Sequence, residues 1–218
     1  MRHFPREMTT LVLGCVVAVS SMSASPGSQS DKKAQAEFDA LVIRVKQSEP
    51  SVDFLQLRRL YSESDRYVPY RDDAEESMII AAQAAEHETA LKIARDILAR
   101  DYLNIEAHFA GAVSCSALGD TACATHHAYV ARGMIESILA SGDGKSPATA
   151  FVVVKVPEEY ALLRVLQARR QSQSLMRSDD GHAYDVLTVH DERTDQENRI
   201  YFNVDIALAG TARVFGLK

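Results

Sequence analysis

The feature that most constrains this chain is a recurrence of small and apolar residues at one spacing in its middle. Ala90, Ala94 and Ile97 in TALKIARDIL are followed, 34 positions on, by Ala124, Ala128 and Ala131 in CATHHAYVARG. A repeat of that length has room for two antiparallel helices and a turn, and each unit leaves an apolar face that only a neighbour can cover. The stretch from Asp72 to Ala140 is therefore predicted to form two stacked helical hairpins. About three such units are needed to bury a continuous core, so the flanking segments must cap the pair.

The second unit resembles the tetratricopeptide pattern, with Leu118, Gly119 and Asp120 at its turn and the small residue Ala124 where the second helix packs closely. The first unit is looser. Ala85 and Glu86 stand where the turn glycine is usual, and Tyr102 takes the place of the closing proline. Arrays of this kind bind peptides or proteins in the groove lined by the first helix of each unit. By register that groove presents Glu75, Ile79, Gln83, Glu106, Phe109, Val113 and Ser116. Members that clamp a C-terminal carboxylate use lysine, arginine and asparagine there, so acids and apolar groups at these positions argue against that clamp. The same groove is equally suited to holding the chain's own C-terminal unit.

The chain's composition, 46% apolar and 25% charged over 218 residues, is that of an ordinary globular protein. A net charge of -6 with no concentrated basic face excludes a nucleic-acid partner. Arg2, His3 and Arg6 precede an apolar run from Leu11 to Val19 and then SSMSASPGSQS, the order of a secretory signal peptide over residues 1–24, cut after Ser23 or Ala24. The run is too short to remain as a membrane-spanning helix. A lipoprotein signal ending at residue 14, with Cys15 acylated, is the weaker alternative, because only Leu11 to Gly14 then forms the apolar run. Both put the folded chain in an exported compartment: the periplasm, or less favourably the outer membrane by a lipid anchor. There, Cys115 and Cys123, which flank the turn of the second hairpin, are candidates for a disulfide or for two small buried thiols.

The helical part is expected over residues 31–141. Phe38, Leu41, Val42 and Val45 share one helical face, with Asp31 as a possible cap and Pro50 beyond the end. Phe54, Leu57, Leu60 and Tyr61 mark a second helix capped by Ser51 or Asp53. This pair is expected to cap the repeats on their N-terminal side. After SGDGKSP the period changes, and residues 148–206 read as a small α+β unit packed on the helices. ATAFVVVKV suits a strand, Pro157 a first helical turn, and QSQSLMR a second strand. GHAYDVLTVHD and NRIYFNVDIAL read as an antiparallel hairpin, with Ile200, Phe202, Val204 and Ile206 on the apolar face, and 207–218 as a tail. The fold class is mostly α, α+β.

Motifs for chemistry are sparse. GDGKS lacks the glycine that a phosphate loop needs five residues before Gly144, where Leu139 stands, and it leads from helix to strand. His182, Tyr184, Asp185, Asn203 and Asp205 meet if the last two strands pair, which offers a general base or hard metal ligands; the same residues also suit a solvated strand face. His126 and His127 are adjacent on a helix and point apart, so neither a zinc site nor a cofactor is expected. No serine sits in a nucleophile elbow.

SGDGKSPATAFVVVKVPEEYALLRVL, GHAYDVLTV and IYFNVDI resemble an uncharacterised bacterial secreted family, domain of unknown function 4919, over about Leu41 to Ile206. The resemblance implies an exported bacterial protein and carries no activity. The expected role is non-enzymatic, binding a protein or peptide of the envelope. The alternatives are an envelope hydrolase or metal-dependent enzyme built on the His182 group, and an inhibitor or immunity protein against a secreted toxin.

Overall fold

The computed structural model describes residues 26–217; the leader segment and Cys15 lie outside them. The described residues form eight α-helices and one four-stranded mixed sheet near the C-terminus, a mostly helical α+β fold. None of these helices is long and apolar enough to cross a membrane.

Helix α1 (Pro26–Lys46) starts ahead of Asp31, which therefore lies inside the helix and is not its cap. Helix α2 (Phe54–Glu63) is capped by Asp53, whose carboxylate accepts the Gln56 N–H at 3.0 Å. Phe38, Leu41 and Val45 of α1 join Leu57 and Tyr61 of α2 in the main core.

Helices α3 (Glu75–Gln83), α4 (His87–Arg100), α5 (Ile105–Ala117) and α6 (Thr121–Leu139) follow as two hairpins. The second helices begin 34 positions apart, at His87 and Thr121. Both hairpin turns use a left-handed residue, Ala85 with φ 58° and Gly119 with φ 79°. Glycine adopts that conformation freely, whereas the alanine Cβ is crowded there.

Burial does not follow the 34-residue period. Ala90, Ala94 and Ile97 are fully buried, but of their counterparts only Ala131 is; Ala124 is half-buried and Ala128 exposed. In α6 the inward face is instead His127, Val130, Ala131 and Met134. Gly111 of α5 supplies the reason. A Cβ there would sit 2.8 Å from the His127 ring, so the missing side chain admits the imidazole and sets the roll of α6.

The α1–α2 pair caps the array, but against α6, at the far end from α3. The Phe54 ring lies where a Cβ on Gly133 would be, the Tyr129 hydroxyl donates to the Glu49 carbonyl at 2.5 Å, and Ser48 bonds His126. The long α6 also carries Ile135 and Ile138, which are buried in one cluster with Phe54 and Leu57 and need this cover.

The C-terminal third contains β1 (Phe151–Val152), α7 (Pro157–Val165), β2 (Ala168–Arg177), β3 (Ala183–Asp191), β4 (Gln196–Asn203) and α8 (Asp205–Val214). The sheet order is β1-β4-β3-β2, with β1 parallel to β4 and the other pairs antiparallel. The expected hairpin is β3–β4, from Tyr184 opposite Asn203 to Asp191 opposite Gln196.

Two expectations need correction. The strand predicted over ATAFVVVKV covers only Phe151 and Val152, because the chain then threads through the core, where side chains satisfy its backbone. Arg58 donates to the Val152 carbonyl at 2.8 Å and Tyr67 to that of Val154 at 2.6 Å, while Glu158 accepts the Val154 N–H at 2.9 Å. Likewise β4 stops at Asn203, and the residues expected as its end and as a tail form α8. The backbone of this helix approaches so closely that a Cβ on Gly210 would lie 2.5 Å from the Tyr67 ring, and Arg213 donates to the Ser62 carbonyl at 2.5 Å. Its small residues carry too weak an apolar pattern to separate helix from strand.

Candidate functional site

Four elements meet around an open cavity of about 850 Å³: α3 and the start of α5 on one side, α7 and β2 on the other. Four of the residues placed on the repeat groove, Glu75, Ile79, Gln83 and Glu106, line it. The other three do not. Phe109 is half-buried with the Arg164 guanidinium stacked on its ring at 4.5 Å, while Val113 and Ser116 lie on the exposed part of α5. Helix α7 thus covers the middle of the groove and leaves its α3 end open.

The groove acids are already engaged. Glu75, 2% exposed, accepts from Asn104 Nδ2 at 2.6 Å and from Arg71 Nε at 2.9 Å. Glu106 pairs with Arg164; burial raises its pKa, against the pull of that guanidinium. A third cation, Arg170, reaches the cavity from β2. It contacts the Tyr160 hydroxyl at 3.4 Å and Gln173 Oε1 at 3.1 Å, and has no carboxylate partner among the described residues. Pro69, Tyr70, Val156 and Pro157 add apolar wall. The positive groups that the repeat helices lack are therefore supplied by the connector, α7 and β2. Arg164 and Arg170 escape a reading of the repeats because they lie far along the chain, and an exposed arginine on a strand carries no signal of its own.

Behind Tyr160 and Arg170 lies a buried acid pair. Gln173, which accepts from Tyr160 at 2.8 Å, donates from Nε2 to Asp185 at 2.7 Å. Asp185 faces Glu159 of α7, which is fully buried and has no cation paired with it among the described residues. Burial first, then the adjoining Asp185, push the Glu159 carboxyl up to about 9, so at neutral pH it holds a proton and can donate to Asp185.

The five residues singled out on the last hairpin separate into two groups. His182, Asn203 and Asp205 come together: Asp205 accepts from His182 Nδ1 at 2.6 Å, the Ala183 N–H at 2.8 Å and Asn203 Nδ2 at 3.2 Å. Burial alone would raise the Asp205 pKa, but these three donors outweigh it and hold the carboxyl low; the same bond raises His182. The carboxylate joins the start of α8 to the start of β3, and its acceptor capacity is largely spent in doing so. Tyr184 is buried beside this group, with its ring centroid 6.5 Å from that of His182. Asp185, the next residue along the strand, points to the other face and belongs to the Glu159 pair. A disulfide joins Cys115 to Cys123 across the α5–α6 turn.

The fold and this site define a mostly helical α+β protein in which a C-terminal unit completes a cavity on a helical hairpin. The chain belongs to the family Domain of unknown function (DUF4919), whose model matches residues 27–213. No curated protein and no solved structure matches it.

Proposed function

We propose that this is a bacterial envelope protein, exported by its N-terminal leader, that binds a protein or peptide segment without chemical turnover. The observation that carries the reading is the cavity of about 850 Å³, which combines apolar wall, aromatic edges and the uncompensated guanidinium of Arg170. Pockets of this size and mixed lining suit a few side chains of an extended segment. The ligand favoured by this lining carries an aliphatic or aromatic side chain for the Ile79 and Tyr160 walls, and a carboxylate, from an acidic residue or a chain terminus, for Arg170. Arginine recognises carboxylates by paired hydrogen bonds, which a guanidinium without a carboxylate partner can offer.

Immobilised purified protein tests this against synthetic peptides pairing an aromatic residue with an acidic one, beside the same peptides amidated. Wild type is expected to retain the acidic forms. Arg170→Ala weakens retention by about tenfold, the loss of one charge-assisted hydrogen bond, and Ile79→Asp abolishes it in protein that keeps a native circular dichroism spectrum. Equal retention by all three proteins, or by none, overturns the assignment. A peptide recovered cleaved would move the protein to the hydrolase class.

A further inference from the structure

The seam between α5 and α6 holds a set of side chains that the cavity does not use. Cys115 and Cys123 each offer a sulfur and His127 a ring nitrogen, with the three ligand atoms all within 4.8 Å of one another. His108 stands behind His127, its Nδ1 lying 3.0 Å from His127 Nδ1. The spacing follows helix geometry: His108 and Cys115 are seven apart on α5, Cys123 and His127 four apart on α6, so both pairs face the same seam. We propose that reduction of the Cys115–Cys123 bond turns this seam into a zinc site, with Cys115, Cys123 and His127 as its protein ligands and a water in the fourth position.

Three features of the structure support a built site. His108 donates its Nε2–H to the Tyr102 carbonyl at 2.9 Å, so its Nδ1 accepts from His127 Nδ1–H at 3.0 Å and leaves the His127 Nε2 lone pair for a metal. Metal-bound histidines are held in this way by a second hydrogen bond from the opposite nitrogen. The His127 ring fits against α5 only because residue 111 is glycine. Neighbouring His126 is turned away, with its nitrogens bonded to Ser48 and Tyr102, which leaves the seam to the four named residues.

The dimensions agree with a tetrahedral ion. Zinc holds sulfur at about 2.3 Å and nitrogen at about 2.0 Å, which puts neighbouring ligand atoms roughly 3.3–3.8 Å apart. The 4.8 Å bound lies about 1 Å beyond that range, so once the sulfurs part small side-chain rotations suffice. Cys123 is half-buried, giving a reductant access to one sulfur, whereas Cys115 is fully enclosed. A dithiol reductant transfers two electrons and two protons to the disulfide and is itself oxidised to a disulfide. Zinc then displaces the two thiol protons as it binds the thiolates.

The full protein, reduced with a phosphine that does not compete strongly for zinc, is incubated with zinc, desalted and assayed for metal. Reduced wild type is expected to retain about one zinc per chain and the oxidised protein none. Cobalt in place of zinc should give the intense visible bands of a tetrahedral thiolate site. Cys123→Ser and His127→Gln, each checked for a native circular dichroism spectrum, should lose both signals; if either fails to fold, Cys115→Ser replaces it. Zinc retained equally by oxidised protein or by the variants overturns the proposal, as does a weak octahedral cobalt spectrum. A reduced chain that unfolds and is not restored by zinc overturns it too.

Discussion

Glu158 and Glu159 are adjacent on α7, and both are shielded from water, yet the junctions they form are opposites. Glu158 faces the helical half. Arg58 meets it with two hydrogen bonds, at 3.0 and 2.6 Å, and uses its remaining donors on Ser137 at 3.2 Å and the Val152 carbonyl at 2.8 Å. Glu159 faces the sheet and finds Asp185, a second acid. The first junction is compensated and ties α2, α6, β1 and α7 together. The second stores a proton, since two carboxylates cannot both stay charged in such surroundings. Burial of an acid is thus a clamp or a liability according to what the opposite element supplies.

The largest way to break this contrast is Arg58→Ala, which strands the Glu158 charge in the core. A loss of about 3–5 kcal/mol is expected in urea unfolding. Replacing both partners, Arg58→Met with Glu158→Leu, should recover most of it. If the single variant unfolds at the wild-type midpoint, the clamp has been misjudged.

Glu159→Gln should act in the opposite direction. The folded carboxyl titrates near 9 and the unfolded one near its ordinary 4.5, so the folded state keeps a proton that the unfolded state releases between those values. The stability linked to that proton is complete below pH 4.5 and declines as pH rises towards 9. The glutamine variant should therefore match wild type at pH 4 and exceed it by on the order of 2 kcal/mol at pH 7, with the gap widening to pH 9. Melting curves that run parallel at every pH would remove the stored proton from consideration.

The smallest effect is expected from Asp185→Asn. Burial, the principal cause of the Glu159 shift, remains, but the neighbouring charge is gone. The decline of stability with pH should then end earlier, with a gain of about 1 kcal/mol at pH 8. An unchanged profile would mean that burial alone sets the proton.

Much of the helical architecture was legible in the chain. Apolar spacing located α1 to α6, Asp53 announced the start of α2, and the spacing of the two hairpins emerged as His87 and Thr121. The alternation in β3 and β4 predicted their pairing. What failed has a common cause. The 34-residue spacing did not reveal that His127 rolls α6 into the gap at Gly111, nor that α1 and α2 stack on α6. The candidate site was half visible: Glu75, Ile79, Gln83 and Glu106 were in place by register, while Arg164, Arg170 and the Glu159–Asp185 pair came from elements whose docking the repeats cannot encode.

The sequence by itself determined local matters: where helices start, which faces are apolar, and which strands form a hairpin. These follow from neighbours within a few residues and from fixed helical and strand periods. The tertiary structure alone decided which buried acid meets a cation, which arginine stays free in the cavity, and that Val153 to Val156 run through the core as irregular chain. Those outcomes rest on contacts between residues such as Arg58 and Glu158, 100 positions apart. Their sign depends on charge, desolvation and fit at the meeting point, none of which either segment carries alone.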